Sequence, residues 1–359
     1  MKHIYLAFLC IVSIGNAQIP SNYYDSANGL SGYALKTELK NILSNGHVDQ
    51  GYNTLFTGYI STHSDNVVES GYENDGTILL YYGENPNGVD SYSYTHGSSN
   101  QCGSISAEGD CYNRESIVPQ GSFSAALPMK NDIHHVVPTD GYVNSQRGNL
   151  PFGTVGTATW TSLSGCKKGN STLSNYSGEV FEPIDEFKGD IARAILYFAT
   201  RYEDTVDSYT SFVMFNGTED QVLHTWALAV LLDWHNNIDP VDQREIDRNN
   251  AAYNYQGNAN PFVDHPEYAD AIWANALSIE ENIASEISIH PNPVKDNLTI
   301  KLSSNSDTNI EIYDILGKRV YQNTISKTST LNIQDLKTGI YVIKMTQHNK
   351  TITKKLVKQ

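Results

Sequence analysis

Side chains that could carry out hydrolytic chemistry are concentrated between residues 110 and 153 of this 359-residue chain. The stretch contains a carboxylate, a hydroxyl, two imidazoles, a guanidinium and an amide, on Glu115, Ser116, His134, His135, Arg147 and Asn149. Carboxylate and amide oxygens are hard ligands that suit Mg²⁺, and a guanidinium suits the bidentate geometry of phosphate. Phosphodiester hydrolysis needs a cation to hold phosphate charge and a base to deprotonate water. That is the chemistry which these residue types could serve.

Three stretches of the chain resemble the secreted bacterial endonuclease I family, which cuts DNA and RNA without sequence specificity. They are residues 110–153, residues 180–193, and Tyr255-Gln-Gly-Asn258 with Asn260-Pro-Phe-Val-Asp-His-Pro266. The resemblance implies an α+β body with a ββα-metal motif, in which a β-hairpin and the following helix hold one divalent cation. It makes Glu115 and Asn149 the protein's ligands to Mg²⁺, with Ca²⁺ as a substitute. Taken alone, Glu115 could also be an ordinary surface carboxylate.

The family pattern is broken at Ser116. Where the family has Asn-Arg-Glu-His, residues 113–116 read Asn-Arg-Glu-Ser. The family's histidine activates water, and an unassisted hydroxyl is too weak a base to replace it near neutral pH. Loss of general-base catalysis costs roughly 10²–10⁴-fold in rate. His134 and His135 are the nearest imidazoles and could act instead, although the family pattern gives this pair a structural or phosphate-side role.

The roles of Arg147 and of the cysteines are also read from the resemblance. Arg147 could contact phosphate, or it could pair with an acidic neighbour and hold its loop. Cys102 and Cys111 flank a loop rich in glycine and serine and match family positions, which implies a disulfide between them. Closing so short a loop stabilises a protein by roughly 2–3 kcal/mol. Cys166 is then predicted to be a buried free thiol.

The elements that must position these residues are predicted from hydrophobic periodicity and turn signals. Helices are expected at Tyr33–Leu43, Pro183–Tyr202, Leu223–Asn236 and Pro240–Tyr253, and a strand at Thr77–Tyr82. The polar segments Gly97–Gly109 and Thr161–Ser177 are expected to be surface connections. Together these elements predict an α+β body.

The last part of the chain has the rhythm of a small all-β sandwich, because short alternating strands are separated by turn signals. The predicted strands are Glu286–His290, Asn297–Leu302, Asn309–Tyr313, Ser329–Ile333, Ile340–Met345 and Lys350–Val357. This tail resembles the C-terminal sorting domain of the type IX secretion system of Bacteroidetes, on the motifs at 290–295, 313–318, 336–341 and 354–358. The resemblance implies that the type IX machinery is a partner. A carbohydrate-binding sandwich is the alternative, but no aromatic stripe marks a sugar-stacking face.

The ends of the chain and its charge complete the prediction. Residues 1–17 carry Lys2, an apolar run and small residues before Gln18, as in a secretory signal peptide. The predicted order is signal peptide 1–17, endonuclease I-like domain 18–275, linker 276–285 and sorting domain 286–359, with no segment long enough to span a membrane. The net charge is −16; residues 284–359 contribute +5, so the remainder carries −21. So acidic a body argues against tight duplex binding unless a metal and a local basic cleft offset it.

Three functions are compatible with this sequence. The first is a secreted, monomeric, Mg²⁺-dependent endonuclease of DNA and RNA that Ser116 makes slow. The second is a catalytically inactive relative that binds metal or nucleic acid outside the cell. The third is a surface adhesin on the same scaffold, which no particular residue supports.

Overall fold

A computed structural model describes residues 19–66, 73–86, 88–173, 175–274, 287–302, 307–347 and 350–359. The chain divides into two compact units, Met1–Asn275 and Ala276–Gln359. The predicted signal peptide and the predicted linker lie outside the described residues.

The first unit combines helices with small sheets, so the predicted α+β class is confirmed. Its helices are α1 (Gly32–Ser44), α2 (Leu55–Thr62), α3 (Gly141–Arg147), α4 (Lys188–Arg201), α5 (Glu203–Val206), α6 (Thr225–Asp233), α7 (Gln243–Gln256) and α8 (Pro261–Asp264). Its strands are β1 (Tyr112–Ser116), β2 (Val136–Asp140), β3 (Val155–Thr161), β4 (Lys167–Ser171) and β5 (Glu179–Glu182). The predicted helices correspond to α1, α4, α6 and α7.

Helix α4 forms the centre of this unit, since every one of its residues is buried. A helix that is buried on all sides must satisfy its polar side chains internally. Arg193 does so by pairing with Glu245 of α7 at 2.6 Å, and Arg201 by pairing with Asp132 at 2.6 Å. The scaffold therefore contains charge pairs at its core as well as apolar contacts.

Strands β1 and β2 and helix α3 form the ββα unit that the resemblance implies. The two strands pair antiparallel, from Tyr112 opposite Asp140 to Ser116 opposite Val136. Helix α3 begins at Gly141, directly after the last residue of β2. Asp140 caps α3, because its Oδ1 accepts hydrogen bonds from the backbone N–H groups of Tyr142 and Val143. Helix α3 is therefore fixed directly against the hairpin.

Two predictions for the first unit are wrong. Thr77–Tyr82 is not a strand: Ile78 forms an isolated bridge with Ser64, and a turn closes where the N–H of Gly83 bonds to the carbonyl of Leu80. The segment resembles a strand because residues 78–82 are all buried. The predicted connection Thr161–Ser177 contains β4, the middle strand of the sheet β3-β4-β5. This sheet has no apolar alternation, since most of β3 is exposed.

The second unit consists of two antiparallel sheets. Strands β6 (Ile287–His290), β7 (Asn297–Leu302) and β10 (Ser329–Asn332) form one, in the order β10-β7-β6. Strands β8 (Thr308–Asp314), β9 (Arg319–Ile325), β11 (Gly339–Gln347) and β12 (Lys350–Lys358) form the other, in the order β12-β11-β8-β9. Leu298, Ile300, Ile312 and Ile343 share one apolar core, which confirms the predicted all-β tail. The edge strand β9 was not predicted, because most of its residues are polar and exposed.

Candidate active site

The Glu115 carboxylate lies at the centre of the ββα unit. Strand β1 carries Glu115 opposite Val137 of β2, and the residue is only 2% exposed. Arg147, the last residue of α3, donates from its Nη1 atom to Oε1 of Glu115 at 2.6 Å. The hydroxyl of Tyr82 donates to the same oxygen at 3.3 Å. Glu115 is therefore held from two sides.

The other oxygen of Glu115 remains for a ligand. Within the part of the chain that the structure describes, no side chain or backbone group donates to Oε2. Burial raises the pKa of the Glu115 carboxyl to about 7, although the Arg147 charge and the two hydrogen bonds act in the opposite direction. A cation at the second oxygen would add to the counter-charge that Arg147 already supplies to this desolvated carboxylate.

Asn149 lies two residues beyond the end of α3 and is exposed. Gly148, between Arg147 and Asn149, has a φ of 54°, a conformation that glycine adopts without strain. The chain thus turns out of α3 next to the residue that holds Glu115. An exposed amide oxygen is free to take a ligand, and amide and carboxylate oxygens are both of the kind that hard divalent cations bind.

Arg147 does not have the phosphate-binding role that was one of its two predicted roles. The residue is 1% exposed, and besides Glu115 it donates to the carbonyl oxygens of Ser116 at 3.0 Å and Ile117 at 2.6 Å. Its Nη1 and Nη2 atoms therefore donate to groups inside the protein and join α3 to the end of β1. This is the alternative role, pairing with an acidic neighbour.

Ser116 lies at the end of β1 and is almost fully buried. Its Oγ has no hydrogen-bond partner among the described residues. No group in the described part of the chain is bonded to this hydroxyl to take its proton, so the structure gives Ser116 no means of acting as a base.

His134 and His135 do not replace the missing base. Both rings are fully buried, with Nε2 of His134 on the carbonyl of Asn258 at 2.9 Å and Nε2 of His135 on that of Met129 at 2.6 Å. Burial lowers the pKa of His134 to about 4 and also lowers that of His135. A general base must reach water, which these rings do not. Burial and these hydrogen bonds favour the structural role of the pair over the predicted rescue.

Cys102 and Cys111 form a disulfide, the pairing that the resemblance implies. The bond is built onto the ββα unit: the N–H of Cys102 bonds to the carbonyl of Tyr112, and the N–H of Gly141 bonds to that of Cys111. A Cβ atom at Gly141 would lie 2.5 Å from Sγ of Cys102, so only glycine fits at the start of α3. Cys166 is free and buried, as predicted.

A cleft of about 390 Å³ brings together residues that sequence reasoning missed. His63, Arg244 and Arg248 line it, from α2's end and from α7. Burial, and then the Arg248 charge, lower the pKa of His63 well below its usual value. Arg248 donates from Nε to Nε2 of His63 at 3.1 Å. His63 and Arg248 are 185 positions apart in sequence, and no local motif links them.

A family model described as Endonuclease I matches residues 31–267, which include the whole ββα unit and the cleft. This chain belongs to the endonuclease I family. A second model, described as a secretion system C-terminal sorting domain, matches residues 288–359. The second unit of this endonuclease I protein is thus a sorting domain, and secretion machinery is its partner.

Two curated relatives cover most of the endonuclease I chain. An extracellular ribonuclease of Bacillus amyloliquefaciens is 36% identical over 255 residues, which are 70% of this chain and 78% of that protein. An extracellular ribonuclease of Bacillus subtilis (strain 168) is 35% identical over the same shares. An endo-acting ulvan lyase of Formosa agariphila is 33% identical over 93 residues, which are 24% of this chain and 18% of the lyase.

The sorting domain and the extracellular relatives identify a secreted nuclease. Among the described residues, no helix has the length and apolar character needed to cross a membrane. The family implies a nucleic-acid substrate.

Proposed function

We propose that this protein is a secreted, metal-dependent endonuclease of DNA and RNA whose turnover is slow because Ser116 stands in place of the general base. The observation that carries the proposal is the difference between the two carboxylate oxygens of Glu115. Arg147 and Tyr82 occupy Oε1, whereas Oε2 is left without a donor from the described chain. A carboxylate fixed through one oxygen and open at the other is suited to bind a cation.

Glu115 and Asn149 would hold Mg²⁺, with Ca²⁺ as a substitute that supports binding. A bound divalent cation would stabilise the charge that develops on phosphate and make a bound water easier to deprotonate. Arg147 acts as a positioning residue, since its contacts with Glu115, Ser116 and Ile117 fix the end of β1. The protein supplies no base at residue 116, so water must lose its proton to solvent.

The extracellular ribonucleases support RNA as a substrate, and the family's non-specificity supports DNA. The proposal keeps the predicted organisation: a signal peptide at 1–17, a nuclease domain at 18–275, a linker at 276–285 and a sorting domain at 286–359. It also includes a monomeric active form, which light scattering on the purified chain tests.

A plasmid-nicking assay with Mg²⁺ or EDTA, run on the full chain and on Ser116→His, tests this function. We expect slow nicking by the wild type that EDTA abolishes, and a rate increase of about 10²–10⁴-fold in Ser116→His. Glu115→Gln should abolish nicking both in the wild-type chain and in Ser116→His. Ser145→His is the matched control, because it adds an imidazole at an exposed position of α3 and should leave the rate unchanged.

Each other outcome has a definite meaning. Equal rates for wild type and Ser116→His would show that residue 116 does not limit the reaction. Nicking that persists in EDTA would contradict metal dependence. If neither protein cuts but both retard DNA and RNA in a gel, the chain is the inactive, nucleic-acid-binding relative. The same assay with single-stranded RNA measures substrate preference.

A further inference from the structure

Three carboxylates from the segment between α2 and β1 converge inside the first unit. Asp65, Glu73 and Glu84 each place an oxygen within 4.8 Å of the other two. Asp65 is 3% exposed and Glu84 only 1%, while Glu73 is half-buried. The backbone N–H of Asp90 donates to Oε1 of Glu73, which brings a fourth acid to the edge of this acidic cluster. Neither Glu115 nor Asn149 belongs to it.

Glu84 has no partner for its charge. Neither of its carboxylate oxygens, nor Oε2 of Glu73, has a hydrogen-bond partner among the described residues. Burial, and then the charges of Asp90 and Asp65, raise the pKa of Glu84 to about 9. Arg244 is the positive charge that acts on Glu84, but its guanidinium is already bonded to Asp190 at 2.9 Å. A buried carboxylate in this condition is costly, so a counter-charge from outside the chain is favoured.

We propose that Asp65, Glu73 and Glu84 bind a Ca²⁺ ion. All the donors are carboxylate oxygens, which suit a hard cation, and no imidazole or thiolate of the kind that zinc prefers is among them. Oxygens spread over as much as 4.8 Å fit the ~2.4 Å bonds and flexible geometry of Ca²⁺. Mg²⁺ fits less well, because it demands a tighter octahedron and retains most of its water. A secreted protein also meets Ca²⁺ at higher concentrations than a cytosolic one.

The ion would tie together Asp65, Glu73 and Glu84, three points of the segment between α2 and β1. Asp65 lies just after α2, with its N–H on the carbonyl of Thr77 and its carbonyl bonded to the N–H of Gly76. Glu84 follows the turn at Leu80. Ser64 and Asn66, on either side of Asp65, line the cleft that contains His63. Ca²⁺ bound here would therefore fix one wall of that cleft, as a structural ion.

The test is a thermal melt and a calorimetric titration of the full chain after metal removal, with Ca²⁺ as the probe. Glu115→Gln serves as the background, because it removes the proposed active-site ligand and isolates the acidic cluster. We expect one Ca²⁺ per chain and a rise in Tm of roughly 3–8 °C at 10 mM Ca²⁺, the shift for a site of about 10⁻⁴–10⁻³ M affinity. Mg²⁺ at the same concentration should give less than half of that shift.

Glu84→Gln in the same background should lose the Ca²⁺-dependent shift and weaken binding at least tenfold. Without metal it should melt no lower than its parent, because a neutral amide of the same shape replaces a buried carboxyl that has no donor among the described residues. Glu73→Gln, at a half-buried position, gives a second variant should Glu84→Gln fail to fold. An unchanged Ca²⁺ shift in both variants, or no shift in the Glu115→Gln parent, overturns the site. An equal shift with Mg²⁺ overturns the assignment to Ca²⁺. All these readouts are independent of nuclease activity.

Discussion

Asp132 and Glu84 are both buried carboxylates of the same unit, yet their surroundings are opposite. Oδ2 of Asp132 accepts from Arg201 at 2.6 Å, Tyr202 at 2.7 Å and Tyr197 at 2.9 Å. Its Oδ1 accepts from Nε2 of Gln256 at 2.7 Å and from a backbone N–H at 3.1 Å. Burial raises its pKa, but the Arg201 charge and the neighbouring histidines outweigh burial and hold that pKa well below its usual value.

Glu84 has none of these donors, and its pKa is shifted in the other direction. The contrast separates two kinds of buried acid. Asp132 is neutralised by the chain itself and belongs to the scaffold, whereas Glu84 is left for a cation from outside. Glu115 is intermediate, because the chain satisfies one of its oxygens and leaves the other. Counting internal donors therefore ranks buried carboxylates by how much they need a ligand.

The largest expected effect comes from removing the charge at the satisfied site. Asp132→Asn leaves Arg201 buried without its counter-ion, which should lower the free energy of unfolding by about 4–5 kcal/mol. Urea denaturation of the purified chain measures this loss. The matched control is Asp204→Asn, which breaks the exposed pair with Lys40 and should cost less than about 1 kcal/mol. Similar losses in the two variants would show that Asp132 is not a scaffold residue.

A smaller loss of folding stability is expected when Glu115 is deprived of its arginine partner and so made to resemble Glu84. Arg147→Met removes the ion pair at Glu115 and should cost about 3 kcal/mol in EDTA. Mg²⁺ should restore more stability to this variant than to the wild type, because the uncovered carboxylate then depends on the cation. The double variant Arg147→Met/Glu115→Gln completes the cycle and should be less destabilised than Arg147→Met in EDTA. A double variant that is more destabilised would mean that packing of the arginine, not its charge, matters.

The smallest expected effect is a loss of stability at low pH, and it arises from His134, close to Asp132 in the chain. The pKa of His134 falls from an unfolded value near 6.5 to about 4 in the folded protein, so the unfolded chain takes up the proton first. Stability from this group is complete above pH 6.5 and declines as the pH falls, by about 2 kcal/mol at pH 5. Denaturation at pH 7 and pH 5 should show a flatter response in His134→Gln. An equal slope in the variant would rule out His134 as the source.

Local features of this protein could be predicted from its sequence, and features built from distant residues could not. Helix α4 was predictable because apolar residues recur along it with helical spacing. The ββα unit was implied by the family resemblance of residues 110–153, which lie together in the chain. Pairing of Arg147 with an acidic neighbour was one of two predicted alternatives, and Glu115 was not named as that neighbour, because sequence does not say which charges are withdrawn from water.

The acidic cluster and the cleft had no linear signal at all. Asp65, Glu73 and Glu84 come from a segment without periodicity, and they are brought together by the bonds of Asp65 with Gly76 and Thr77 and by the turn at Leu80. The sheet of β3, β4 and β5 was missed for a related reason. Most of β3 is exposed and β4 reads Lys-Lys-Gly-Asn-Ser, so no run of buried apolar residues marks these two strands although they pair through their backbones.

The disulfide between Cys102 and Cys111 has a consequence for where this nuclease is completed. Its sulfur fills the space beside Gly141, at the first turn of the helix that ends in Arg147. Such bonds form in oxidising compartments and not in the cytoplasm. The brace on the ββα unit is therefore added only after the chain has left the cytoplasm. By that stage the producing cell's own chromosome is behind a membrane, and the nucleic acid within reach belongs to the surroundings.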